Sequence, residues 1–190
     1  MRNSMHHQAG FSLIARVLHW LMALMVITML FVGAGMVATV SERHAWLLQL
    51  HKPLGITILL LVIVRIGVRW AHGTPPLPSD LPLWQRLAAK LSHLALYALM
   101  LAMPLIGWTM ESAGGYPVIL FDGVTLPALV EASPGLYSTL RFMHTWLAYT
   151  LFLIVQLHLA AALFHVLVRR DSVMPSMSTG PLPGAKRSKG

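Results

Sequence analysis

The 190-residue chain contains no cysteine and only six acidic side chains. Without thiols it can form no disulfide, hold no thiolate-ligated iron–sulfur cluster, and attach no haem through a Cys-x-x-Cys-His motif. The six acids are Glu42, Asp80, Glu111, Asp122, Glu131 and Asp171, and none lies inside an apolar run. Proton pumps and cation transporters keep ionisable groups within their spans, so the missing carboxylates count against transport. No internal repeat is evident, and no stretch is long and polar enough for a large soluble domain.

Apolar residue types make up 56% of the chain and charged ones 11%, which is not the composition of an ordinary soluble domain. A membrane span takes roughly 20 apolar residues. Four segments qualify, at about 13–40, 54–70, 91–110 and 140–168. The first run is much longer than the roughly 7–15 residues of a signal-peptide core, and it is read as a retained span. The expected fold class is all-α, an integral-membrane four-helix bundle.

Charge sets its orientation. Eleven of the fourteen Lys and Arg flank the same ends of these spans: Arg2, Arg16, Arg65, Arg69, Arg86, Lys90, Arg169, Arg170, Lys186, Arg187 and Lys189. Only Arg43, Lys52 and Arg141 fall on the other side, together with four of the six acids. The positive-inside rule then places both termini in the cytoplasm. Positive charge that flanks spans is a topology signal, not a soluble basic face, and no nucleic-acid partner is expected.

Between the spans, "HGTPPLPSDLPL" (72–83) cannot continue a helix because of its prolines. "LWQRLAAKLSH" after it has helical spacing and is expected to lie along the inner interface before the chain turns into the third span. Pro104 is expected to kink that span. The outer loop 111–135 has apolar pieces that suit folding down over the bundle. The membrane domain is read as residues 1–174. Residues 175–190 are read as a disordered basic tail, the loose composition beginning at Asp171. The six tryptophans fall near span edges, as in an aromatic belt.

Ten histidines remain to be explained. His6, His7, His44 and His72 lie in polar connections and are read as exposed. His19, His51, His93, His144, His158 and His165 lie in or at the ends of spans, where ionisable groups are costly and usually functional. From His144 to His158 a helix turns by about 1400°, about 40° short of four full turns, and rises about 21 Å. The two rings thus share a face at two depths, which suits two haems stacked across a hydrocarbon core about 30 Å thick. His165 also shares that face, but about 10 Å from His158 two macrocycles would crowd. His51 opens the second span at the level of His144. His19 lies in the inner part of the first span, towards His158, and His93 starts the third span near the expected level of His165. A helix bundle commonly builds cofactor sites from such facing side chains. Arg16, Arg65 and Arg69 near the inner surface suit haem propionates or lipid phosphate. Lys52 and Arg141 could attract a small anion, or serve only as helix-end charges.

The stretches "RVLHWLMAL", "LHKPLGITILLLVIVRIGVRW", "PPLP", "LSHLALYALMLAMPLIGW" and "MHTWLAYTLFLIVQLHLAAALFH" together resemble the bacterial cytochrome b561 family from about Phe11 to Met174. The resemblance implies a bacterial inner-membrane, multi-pass protein with two haem b groups, one held by His19 and His158 and the other by His51 and His144. In one branch of that family superoxide is oxidised on the periplasmic side and the electron passes to ubiquinone. There the histidines matching His93 and His165 lie at the quinone side; the long outer loop of this chain departs from that branch. The expected function is therefore electron transfer from a small periplasmic reductant, with superoxide the candidate, to membrane ubiquinone. One alternative is a cytochrome subunit that docks a separate dehydrogenase or hydrogenase. Another, of a different class, is a non-redox membrane protein that binds haem or a metal.

Overall fold

The computed structural model describes residues 10–76, 80–121 and 124–178. His6, His7 and the tail beyond Ser178 lie outside the described residues. Among the described residues the architecture is four long helices, one short hairpin and one further short helix. Helix α1 spans Leu13–Ala38, α2 Glu42–His72, α3 Leu83–Ala113 and α4 Pro134–Phe164. A π-helical turn, His165–Arg169, extends α4. Strands β1 (Val118–Phe121) and β2 (Val124–Leu126) pair antiparallel, and α5 covers Val173–Met177.

Local chemistry explains the boundaries. The Ser12 side chain accepts a hydrogen bond from the Ala15 N–H and caps α1, satisfying one of the donors a helix start leaves free. Three residues then suffice to reverse the chain into α2. Helix α2 ends on Gly73, whose φ of 69° lets its N–H return to the Arg69 carbonyl at no Cβ cost. Ser133 caps α4 ahead of Pro134, a residue pre-set for the first helical position.

Helix α3 departs from the sequence expectation. It runs unbroken from Leu83 through "LWQRLAAKLSH" into the third span, with no turn between an interfacial piece and the span. Nothing in that segment can break a helix, and buried Leu81 anchors its start: the Leu81 carbonyl accepts from Arg86 Nε at 2.8 Å. Pro104 is accommodated within the same helix.

Hydrophobicity is turned outwards. The buried core is thin, centred on Met22, Leu59 and Val62 with Tyr97, Met100 and Leu101 against it. Meanwhile Leu24, Phe31, Phe142 and Phe152 are exposed. Large exposed apolar surface is rare on soluble monomers. Here it covers four helices, each long and apolar enough to cross a membrane. Even the shortest, 26 residues, is about 39 Å long, more than a hydrocarbon core. The fold is an all-α membrane bundle.

The backbones of α1 and α2 pack closely, as do those of α3 and α4, with a lesser α2–α3 contact. Helix α4 has no comparable backbone packing against α1 or α2. At the hairpin end the loop between α3 and α4 does fold onto the helices. Lys52 pairs with Glu111 and donates to the Pro117 carbonyl. Trp108 Nε1 donates to Pro127 O, and Ser112 Oγ accepts from the Leu129 N–H. At the opposite end α5 returns to α1: Trp20 Nε1 donates to Met177 O at 3.1 Å and Arg16 to Ser178 O at 3.1 Å. The chain from Asp171 to Ser178, expected to be loose, is thus docked.

Candidate functional site

Helix α4 carries His144 and His158 towards the neighbouring helices from which its backbone stays apart. At the hairpin end the His51 ring of α2 faces His144, centroids 6.1 Å apart. At the termini end the His19 ring of α1 faces His158 at 6.4 Å. Both pairs are near-perpendicular, edge to face. The two levels are fourteen residues apart on α4, a rise of about 21 Å.

The surroundings of the two pairs differ. At the His51 level the buried Nδ1 atoms of His51 and His144 make no hydrogen bond of normal geometry, although the Met103 carbonyl lies towards His144. Gly107 of α3 lies against the His144 ring: a Cβ added there would stand 3.3 Å from its Cε1. At the His19 level the site is polar. Arg65 donates to Tyr97 Oη at 3.0 Å and to Ala15 O at 2.9 Å, and its Nη2 lies 3.3 Å from His19 Nδ1. A guanidinium only donates, so in this contact His19 Nδ1 is the acceptor and the ring proton sits on Nε2. Arg69 stacks over the Tyr97 ring, 5.7 Å from its centroid.

His93 and His165 do not meet. The His93 ring packs on His158 at 5.5 Å, deeper in the bundle than its place at the start of the third span implied, because α3 begins a further two turns upstream. His165 opens the π-helical turn and bonds through Nδ1 to Asp171 Oδ2 at 2.6 Å. Arg169 bridges Asp171 and Asp80 at 3.1 and 2.6 Å. Sequence reasoning missed Asp171, which fell in the stretch read as loose. The one signal available was an acid directly after the basic pair that closes the fourth span. His44 and His72, read as loop residues, are helical: His44 Nδ1 bonds to Met36 O at 3.0 Å and His72 Nδ1 to Val68 O at 3.1 Å. Lys52, considered as an anion attractor, is taken up by Glu111.

The residues suit a haem. An imidazole nitrogen binds a first-row metal at about 2 Å, so two rings on opposite sides of one iron stand about 6 Å apart between centres. Both α4 pairs have that separation, and His19–His158 matches it better than the tighter His93–His158 contact. The set is imidazole nitrogen with no carboxylate, as b-type axial ligation uses, with polar groups around it at the His19 level.

A family model for prokaryotic cytochrome b561 matches residues 10–180. The chain belongs to the prokaryotic cytochrome b561 family. Cytochrome b561 homolog 2 of Escherichia coli is 32% identical over 171 residues, covering 88% of this chain and 90% of that protein. The probable superoxide oxidase CybB of Yersinia pestis is 31% identical over 161 residues, 84% and 90% of the two chains. Cytochrome b562 of Cereibacter sphaeroides is 30% identical over 151 residues, 70% and 89%. As a b561-family protein with four spanning helices, the chain is a multi-pass protein of the bacterial inner membrane. Its work is b-type cytochrome electron transfer, with haem b the cofactor that the family implies.

Proposed function

We propose that the chain is a two-haem cytochrome that takes electrons on the periplasmic side, at the His51–His144 level, and delivers them to ubiquinone at the cytoplasmic side. The observation that carries this reading is the pair of facing-histidine levels on α4, at 6.1 and 6.4 Å. His51 and His144 would hold one haem, and His19 and His158 the other. Bound haem supplies one-electron iron chemistry.

The protein's own part is ligation, insulation and proton handling. His19 binds through Nε2 only if its proton moves to Nδ1, which releases Arg65 from that nitrogen and frees its guanidinium for an anionic group nearby. Leu151, buried on α4 between the two levels, separates them. His165, not needed as a ligand, supplies a hydrogen bond and protons to a quinone carbonyl, which imidazole can do near neutral pH, while His93, set apart from it against His158, would offer the quinone only a hydrogen bond. The donor we favour is superoxide. It rests on the likeness to a protein described as a probable superoxide oxidase.

Haem counting tests the reading. Purified protein should carry two low-spin b haems per chain. His51→Ala or His144→Ala should lose one haem, and His19→Ala or His158→Ala the other. One haem in the intact protein, or full content in all four variants, would refute the assignment.

A further inference from the structure

His165 and Asp171 are six residues apart, and on a regular α-helix they could not touch. Six residues turn the chain by about 600°, which leaves the side chains about 120° apart and about 9 Å apart along the axis. Two local features bring them together. The turn His165–Arg169 is π-helical, a widening that occurs mostly as single turns at functional sites. Arg170 then takes the left-handed conformation, φ 52° and ψ 41°, which is strained for a residue with a Cβ. The reversal carries the Arg170 and Asp171 N–H groups back to the His165 carbonyl. It also sets the Asp171 carboxylate on His165 Nδ1 at 2.6 Å.

The carboxylate is itself held. Its Oδ1 accepts from the Val173 N–H at the start of α5, and its Oδ2 accepts from Arg169 Nε, both at 3.1 Å. Arg169 also reaches Asp80, an exposed residue of the α2–α3 connection. These are the charged groups that face Asp171 and His165 from the elements packed there. A histidine whose Nδ1 is fixed by a carboxylate has one tautomer and one orientation, with Nε2 as its working nitrogen.

We propose that Asp171 is a positioning residue for quinone reduction, holding His165 through Nδ1 so that its Nε2 faces a quinone carbonyl oxygen and relays a proton to it. The proposal rests on the quinone role of His165 given above. Quinone becomes quinol by taking two electrons, one at a time, from the reduced cytochrome, and two protons. His165 passes a proton from Nε2 to one carbonyl oxygen and is reprotonated by water at the membrane surface, and the opposite carbonyl oxygen takes its proton from that water.

The test is the rate at which the pre-reduced, haem-loaded protein reduces added ubiquinone in Asp171→Asn, Asp171→Glu and His165→Ala. Asp171→Asn can still accept the Nδ1–H bond but carries no charge. It should keep both haems and lose about tenfold in rate at neutral pH. Asp171→Glu should recover most of the rate. If His165→Ala is slow while Asp171→Asn keeps the wild-type rate, the positioning role is wrong and the quinone site stands. If His165→Ala reduces quinone normally, the quinone site lies elsewhere and the proposal fails with it.

Discussion

Gly107 and His144 meet across the α3–α4 contact, where a Cβ on the glycine would stand 3.3 Å from the imidazole Cε1. Helix α3 thereby fixes the position of a ring that faces His51 on α2. The glycine is needed because the backbone approaches the imidazole edge and not because its dihedral angles demand it; it lies mid-helix in α3. An alanine needs the ring to give by a few tenths of an ångström. A leucine needs it to leave.

Gly107→Ala should therefore retain two haems, with a small shift in the reduced absorption band of one of them. Gly107→Leu should lose the haem of the His51 level and keep the other. Haem per chain, measured beside the His144→Ala variant, checks this. If Gly107→Leu holds two haems with unchanged spectra, the glycine does not define the site.

The histidine levels were legible in the sequence because α4 is a regular helix between His144 and His158, so residue spacing translates directly into face and depth. Depth placed His51 opposite His144; for His19 depth left both His158 and His165 open, and the spacing needed between two haems chose His158. Depth did not suffice for His93. Its apolar span begins at Leu91, but the helix begins at Leu83, and the unbroken α3 carries the ring down to His158. Nor did spacing reveal Asp171. Its contact with His165 depends on a π-helical turn and a left-handed arginine, and neither leaves a mark in hydropathy.

The same contact gives a pH dependence. Burial alone would raise the Asp171 carboxyl, but hydrogen bonds from His165, from the Val173 N–H and from Arg169 outweigh it, so its pKa is lowered from 3.8. A carboxylate with a lowered folded-state pKa contributes stability that is fully present above its unfolded value. That stability is lost as the pH falls through the folded value. Docking of α5 should thus be insensitive to pH from neutral down to about 4 and weaken below it. Trp20, whose indole N–H donates to Met177 O, is a local reporter: its fluorescence should change in that acid range. In Asp171→Asn the acid-range change should be absent. An identical acid transition in that variant would show that another group governs α5.

Orientation decides which histidine level meets which compartment. By sequence, eleven of fourteen Lys and Arg flank the same ends of the spans, and of the described ones Arg16, Arg65, Arg69 and Arg169 make their hydrogen bonds or ring contact at the termini end. The hairpin end keeps Arg43, Lys52 and Arg141, and Lys52 is neutralised by Glu111. Cytoplasmic loops carry the excess of Lys and Arg, so the termini should face the cytoplasm and the hairpin the periplasm. A reporter fused after Gly190 should be active if it works only in the cytoplasm, and silent if it works only in the periplasm. Arg141→Cys, in a chain that has no native cysteine, should react from outside intact spheroplasts with a membrane-impermeant maleimide. Labelling of a Cys at Arg169 instead, with Arg141→Cys protected, would invert the bundle. It would place the His51–His144 level on the cytoplasmic side, and a periplasmic donor would then have to feed the His19–His158 level first.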